Sequence, residues 1–233
     1  MHSLRAPFWT HNSETENETK GAYERRGMSP TEYFDSLGLF DYGGGGYHCV
    51  WLSERDMEIF AERGLTAVTC PASNAKLASG IAPLTELKRR GIRLAVGTDG
   101  PASNNALDMF REMYLACVLQ KLREHDAAAC PAEDILLAAC TGGARAMGLA
   151  DCDCLAAGKQ ADIAVIDLGR PNMRPIHAPA KNLVYSGSKD NVRLTMVAGR
   201  ILYENGEFFV GDDPARICAE AERQTKELIN DGN

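Results

Sequence analysis

Short apolar runs alternating with amphipathic stretches lay out the first 150 residues. Residues 7–11, Tyr47–Val50, Leu65–Cys70 and Ile92–Val96 read as strands. Residues 29–37 and Ser53–Arg63 read as helices with serine caps: Ser29 before Pro30, completed by Glu32, and Ser53 with Asp56 three residues on. Pro83–Arg90 is a third helix, stopped by Gly91. Gly43–Gly46 precedes a strand rather than a helix, so it is expected to be a flexible loop and not a phosphate cradle. Residues 71–80 read as a long polar loop. Strand and helix alternate, which predicts an α/β fold of parallel strands joined by crossover helices.

Two more helices are predicted over 105–123 and 131–147, the first from the spacing of Leu107, Phe110, Met113, Tyr114, Cys117 and Val118. Beyond Gly148 the pattern changes. Ala161–Leu168, Asn182–Ser186, Val192–Val197 and Arg200–Glu204 are β-type runs, and Asn205-Gly206 is a strong hairpin signal. Residues 213–230 read as a charged surface helix. The expected organisation is a half-barrel over 1–150, a small antiparallel β unit over 151–211 and a C-terminal helix over 212–233.

Composition narrows the partners. The 233 residues are 45% hydrophobic with a net charge of -7 and no basic stripe, which argues against nucleic acid and anionic membrane as partners. No apolar run approaches the ~20 residues of a membrane span, and the opening residues show no signal-peptide core. The eight cysteines fall in core-like patterns, which favours reduced thiols and a cytoplasmic setting. Cys152 and Cys154 are too close to suggest a zinc finger.

The candidate chemistry lies at strand ends. Asp99 follows the run Ile92–Val96; from this stretch alone it reads equally well as the cap of its own turn. His11 and His48 end two other inferred strands, and Glu14 sits three residues after His11. In a parallel barrel, such ends converge on one mouth. Two imidazoles and a carboxylate are a ligand set for catalytic zinc or iron with one position open for water. Such a metal brings the water's pKa towards ~7, and a nearby acid or base, Glu14 or His48, can then shuttle the proton. The residues thus point to metal-assisted hydrolysis.

Four motifs resemble the amidohydrolase superfamily and, within it, the adenosine-type deaminases acting on S-adenosylhomocysteine and 5'-methylthioadenosine. They are His11-Asn-Ser-Glu14-Thr15, Tyr47-His48-Cys-Val-Trp-Leu52, Cys70-Pro-Ala-Ser-Asn74-Ala-Lys76-Leu-Ala-Ser-Gly80 and Gly97-Thr-Asp99-Gly-Pro-Ala-Ser103-Asn104-Asn105. The resemblance covers nearly the whole chain but only the C-terminal part of the family's length. It implies the C-terminal half of a (β/α)8 TIM barrel, strands five to eight, plus part of a small composite β-sandwich. It implies one divalent metal, zinc or iron, held by His11 and Asp99. It further implies that Asp99 takes a proton from the attacking water, and that Glu14 and Asp99 contact substrate. Glu14 would relay a proton to the purine N1, and His48 would polarise the water or the tetrahedral intermediate. Asn74, Ser103 and Asn104 resemble loop-shaping positions behind these groups.

The resemblance also implies a nucleoside substrate, an inosine-type product plus ammonia, and a homo-oligomeric complete enzyme. The family's strand-one His-x-His pair has no counterpart: the histidines are His2, His11, His48, His125 and His177. The expectation is therefore a fragment that by itself binds little zinc, self-associates through open edges and releases no ammonia. Alternatives are a guanine deaminase, a triazine hydrolase, a non-catalytic half-barrel or a flavodoxin-like binding module. A cytidine-deaminase-type site is excluded, because its His-x-Glu and Pro-Cys-x-x-Cys are absent.

Overall fold

In the computed structural model residues 5–231 are described; Met1–Leu4, on which the signal-peptide reading partly falls, and His2 lie outside them. Strands β1 (Phe8–Asn12), β2 (Gly44–His48), β3 (Thr66–Thr69) and β4 (Arg93–Val96) pair in parallel, in chain order. Parallel neighbours need crossovers. Helices α1 (Glu16–Arg26) and α2 (Pro30–Ser36) link β1 to β2, α3 (Glu54–Glu62) links β2 to β3, and α4 (Pro71–Lys76) with α5 (Leu84–Arg89) links β3 to β4. The register sets His11 beside Tyr47 and Asn12 beside His48, so the strands finish level.

Both predicted capping boxes form, Ser29 with Glu32 and Ser53 with Asp56. They are also joined: the Ser29 hydroxyl donates to buried Asp56, tying the start of α2 to the start of α3. α3 buries Met57, Ile59 and Phe60. Phe8, Phe34, Phe40 and Phe60 continue inward as a chain of tilted and edge-on rings with centroids 5.6 to 6.5 Å apart, the quadrupole-favoured arrangement.

The expected glycine loop is strand instead. A Cβ on Gly45 would lie 2.0 Å from the Thr66 carbonyl oxygen and one on Gly44 1.9 Å from that of Phe8. Only glycine lets β2 pass this close to both neighbours. The polar loop at 71–80 contains α4, started by Pro71 at its first turn. α1 escaped the periodicity because it buries only Ala22; the Thr15 cap and Gly27, at φ 71°, define it instead. The helix predicted over 105–123 is α7 (Met109–Glu124), which starts later because Asp108 caps it, and an unpredicted short helix, α6 (Pro101–Asn104), precedes it. The helix predicted over 131–147 divides into α8 (Ala132–Leu137), a π-helical turn (Ala138–Gly142) and α9 (Gly143–Ala146). At that turn Gly142 meets β4, where a Cβ would sit 2.1 Å from the Leu94 oxygen.

Strands β5 (Ile163–Ile166), β6 (Val192–Val197), β7 (Arg200–Glu204) and β8 (Glu207–Phe208) form a separate antiparallel sheet in chain order. Its last turn is the predicted hairpin, with Asn205 at φ 49° and Gly206 at φ 102°. The β-type run Asn182–Ser186 is corrected to helix α10 (Pro179–Tyr185), whose Val184 is buried in the core of the first unit. Its apolar residues pack on helices rather than on a strand, so tertiary contact overrides β-propensity. The charged helix is α11 (Pro214–Asp231). No described helix is long and apolar enough to cross a membrane.

Two outcomes follow from this packing. Gly45→Ala forces a methyl against the Thr66 carbonyl and is expected to cost ~3 kcal/mol or abolish folding. Gly43→Ala, where nothing lies within 4 Å but φ is 77°, is expected to cost only ~1 kcal/mol; urea unfolding of both variants measures the difference. The second concerns Asp153, which Lys159 (2.5 Å) and Arg145 (2.9 Å) clamp between α9 and β5. The Lys159 ammonium first, then the Arg145 guanidinium, hold its carboxyl at about 2. A depressed folded-state value means that the stabilisation is present above the ordinary carboxylate value of ~3.9 and is lost as pH falls through about 2. Asp153→Asn should therefore melt lower than wild type near neutral pH, and the gap should close on acidification; a pH-independent gap would count against the clamp.

Candidate metal centre

Three left-handed turns end the strands of the first sheet. Ser13 (φ 53°), the pair His48 (φ 68°) and Cys49 (φ 53°), and Asp99 (φ 60°) all sit in the sparsely populated positive-φ region. Such conformations persist only when surroundings over-determine them. At the β2 end they are fixed by backbone bonds, with Cys49 N–H donating to Asn12 O (3.2 Å) and Trp51 N–H to Ser13 O (2.9 Å). His11 on β1, His48 at the end of β2 and Asp99 in the turn after β4 come to one place. Their donor atoms all lie within 4.8 Å of one another, the only such cluster of His, Cys, Asp and Glu among the described residues.

The two imidazoles stack, with centroids 5.4 Å apart and an interplanar angle of 18°. His48 is buried and His11 exposed. Asn74 Oδ1 lies 2.7 Å from His48 Nδ1. An amide oxygen only accepts, so Nδ1 is the donor of this contact and Nε2 is the nitrogen left facing the mouth. Nε2 lies 3.7 Å from Glu14 Oε2. Glu14 is steadied from its other oxygen by the Ser79 hydroxyl at 3.1 Å.

Asp99 is the most tightly held member. Oδ2 accepts from Ser73 (2.7 Å) and Ser103 (2.5 Å), and Oδ1 accepts from the Gly100 N–H (2.7 Å). Burial works to raise its pKa, but the Ser103 and Ser73 hydroxyls and the Gly100 amide outweigh it and hold the carboxyl at about 2. The group is thus an anion ready to bind a cation. Cys70 nearby is the opposite case. Burial, then the Asp99 and Glu112 charges, push its thiol up to about 12, which makes it a poor nucleophile and metal ligand.

The four expected site residues therefore share one mouth. Asn74 and Ser103 touch His48 and Asp99 directly, and Asn104 donates to Thr98 O (2.6 Å) behind Asp99. Sequence reasoning missed Ser73, Ser79 and Glu112. The two serines flank Asn74 in a stretch read as loop, and a helix start at Pro71 would have aimed Ser73 and Asn74 together. Glu112 was hidden by the wrong helix face: α7 buries Glu112, Met113, Ala116, Cys117 and Gln120, whereas Leu107 and Tyr114 are exposed.

Parallel strands with imidazole and carboxylate side chains gathered at their C-terminal ends make a candidate metal centre on an α/β fold. The chain belongs to the amidohydrolase family, whose model matches residues 3–202. It is 45% identical over 203 residues to the 5-methylthioadenosine/S-adenosylhomocysteine deaminase of Nitratidesulfovibrio vulgaris, covering 87% of this chain and 46% of that protein. It is 43% identical to the 5'-deoxyadenosine deaminase of Methanothermobacter thermautotrophicus, covering 86% of this chain and 47% of that protein. Among solved structures, a zinc-bound adenosine deaminase from Xanthomonas campestris superposes with a TM-score of 0.92 at 36% identity, covering 98% of this chain and 52% of the other. A zinc complex of atrazine chlorohydrolase from Arthrobacter aurescens gives 0.86 at 26% identity, covering 95% and 49%. The chain thus spans about half the length of the relatives it matches.

One outcome tests the electrostatics. Replacing Ser73 and Ser103 by alanine removes both hydroxyl donors and should raise the Asp99 pKa above about 2, read from the carboxyl carbon shift in an NMR titration. An unchanged titration would assign the depression to something other than these hydroxyls.

Proposed function

We propose that this chain carries strands five to eight of a (β/α)8 barrel within residues 1–150, the C-terminal strands of a β-sandwich within 151–211 and a terminal helix over 212–233. We further propose that its site serves hydrolytic deamination of an adenosine-type nucleoside. The carrying observation is the meeting of His11, His48 and Asp99 at one mouth with Glu14 beside them. Two imidazoles and a carboxylate already held as an anion fit a catalytic zinc or iron donor set. His11 and Asp99 would hold the ion, and His48 would serve as a third donor or as a contact to the attacking water. The ion supplies a water whose pKa is lowered towards ~7.

The remaining roles fall to this chain's own groups. Asp99 accepts a proton from the attacking water. Glu14 contacts the purine and relays a proton to N1, which makes C6 electrophilic. His48, with its proton fixed on Nδ1, offers Nε2 to the reacting oxygen. Water oxygen bonds to C6, the proton taken up by Asp99 passes to N6, the C6–N6 bond breaks with ammonia leaving, and the remaining hydroxyl proton returns to Glu14 as the C6 carbonyl forms. Support for the substrate class comes from relatives named for methylthioadenosine, S-adenosylhomocysteine and deoxyadenosine deamination at 43% to 45% identity.

The test joins this chain to the matching N-terminal half of the Nitratidesulfovibrio vulgaris relative. The hybrid should hold about one divalent metal per chain and release ammonia from methylthioadenosine, S-adenosylhomocysteine or 5'-deoxyadenosine. Asp99→Asn should lower turnover by at least ~10²- to 10⁴-fold, and Glu14→Gln should also lose turnover because an amide relays no proton. The 233-residue chain alone should bind little metal and release no ammonia. A folded, metal-loaded hybrid that releases ammonia from none of the three, or that dechlorinates atrazine instead, would overturn the substrate reading. Near wild-type turnover in Asp99→Asn would overturn the role given to Asp99.

A further inference from the structure

Glu112 is fully buried on α7, outside the cluster just described. Its two oxygens are used separately. Oε2 accepts the Ala72 N–H at 2.9 Å and Oε1 accepts Asn104 Nδ2 at 2.6 Å. Ala72 lies in the first turn of α4, immediately before Ser73 and Asn74, which contact Asp99 and His48. Asn104 lies one residue after Ser103 and braces the Thr98 carbonyl next to Asp99. One carboxylate therefore ties together the two segments that follow β3 and β4.

A buried carboxylate satisfied by neutral donors is a poor way to gain stability. Taking a carboxylate out of water costs free energy that hydrogen bonds from neutral donors only partly return. What it supplies is geometry: two acceptors fixed on one rigid helix, facing donors on two short helices, α4 and α6. Glutamine has nearly the same shape but only one acceptor, and its NH₂ would face one of the two N–H donors. We propose that Glu112 is the positioning residue of this site, holding α4 and the Asp99 turn so that Asn74 keeps the His48 proton on Nδ1 and Ser73 and Ser103 keep Asp99 in place. The inference deepens the site reading above and is tested in a way that does not depend on it.

The readout is the His48 ring nitrogens at alkaline pH, in the 233-residue chain freed of metal by chelation. They are measured by ¹⁵N NMR in solution, or by magic-angle spinning if the chain associates. Wild type should show a single neutral tautomer protonated on Nδ1. Glu112→Gln should populate the Nε2-protonated form. Gln120→Ala is the control: Gln120 is equally buried on α7 but bonds Ala82 and Thr85, neither of which contacts His48 or Asp99. It should lower stability and leave the His48 signature unchanged. A wild-type signature in Glu112→Gln, or an equal change in Gln120→Ala, would overturn the proposal. In the hybrid enzyme, Glu112→Gln should lower kcat by ~10- to 100-fold with KM little changed; a fall confined to KM would count against positioning. If the hybrid with Glu112 intact releases no ammonia, the deamination reading fails while the ring signature still decides the role of Glu112.

Discussion

Parallel pairing of four short strands is the constraint on which the rest depends. It fixes every strand in one direction, so that all C-terminal ends open on the same side. His11, His48 and Asp99 are separated by 37 and 51 residues in the chain and are brought together by that alignment. The level register of β1 with β2 places adjacent ends side by side, and the glycines of β2 keep the strands close enough for the rings to stack. A side chain at Gly45 would push β2 away from β3 and separate the donors it carries.

The site is held from behind by neutral hydrogen-bond partners rather than by countercharges. Asp99 takes hydroxyl and amide hydrogens, His48 is oriented by an amide oxygen, and Glu14 is steadied by a hydroxyl. Neutral partners orient an ionisable group without cancelling its charge, which leaves the mouth electronegative and receptive to a cation. A lysine or arginine in any of these places would have consumed the negative charge that a metal needs. The positive-φ turns at His48 and Asp99 add to this picture, since strained backbone is retained where side-chain direction matters.

The fold and the chemistry point to one family while the substrate depends on finer features. Proteins as different in their named substrates as an adenosine deaminase and an atrazine chlorohydrolase superpose on this chain with TM-scores of 0.92 and 0.86. What they share with this chain is the fold; what a substrate sees is the lining of the mouth. That division explains why the motifs at 11–15, 47–52, 70–80 and 97–105 carry the family with ease and the purine less directly.

The sequence by itself determined the alternation of strand and helix, the serine-capped starts of α2 and α3, the Asn205-Gly206 hairpin and the four residues at the mouth. These are local signals, written in spacing, caps and turn residues. Tertiary structure decided the rest. The glycine run became a strand because of neighbours at 1.9 to 2.0 Å from a would-be Cβ, which no local pattern reports. Asn182–Ser186 became helical because Val184 found a core built by α7 and α8. Glu112 looked like one acid among many until folding buried it between α4 and α6, two segments remote from each other in sequence. Local pattern states what a segment can do alone, and only packing states which of its atoms will meet.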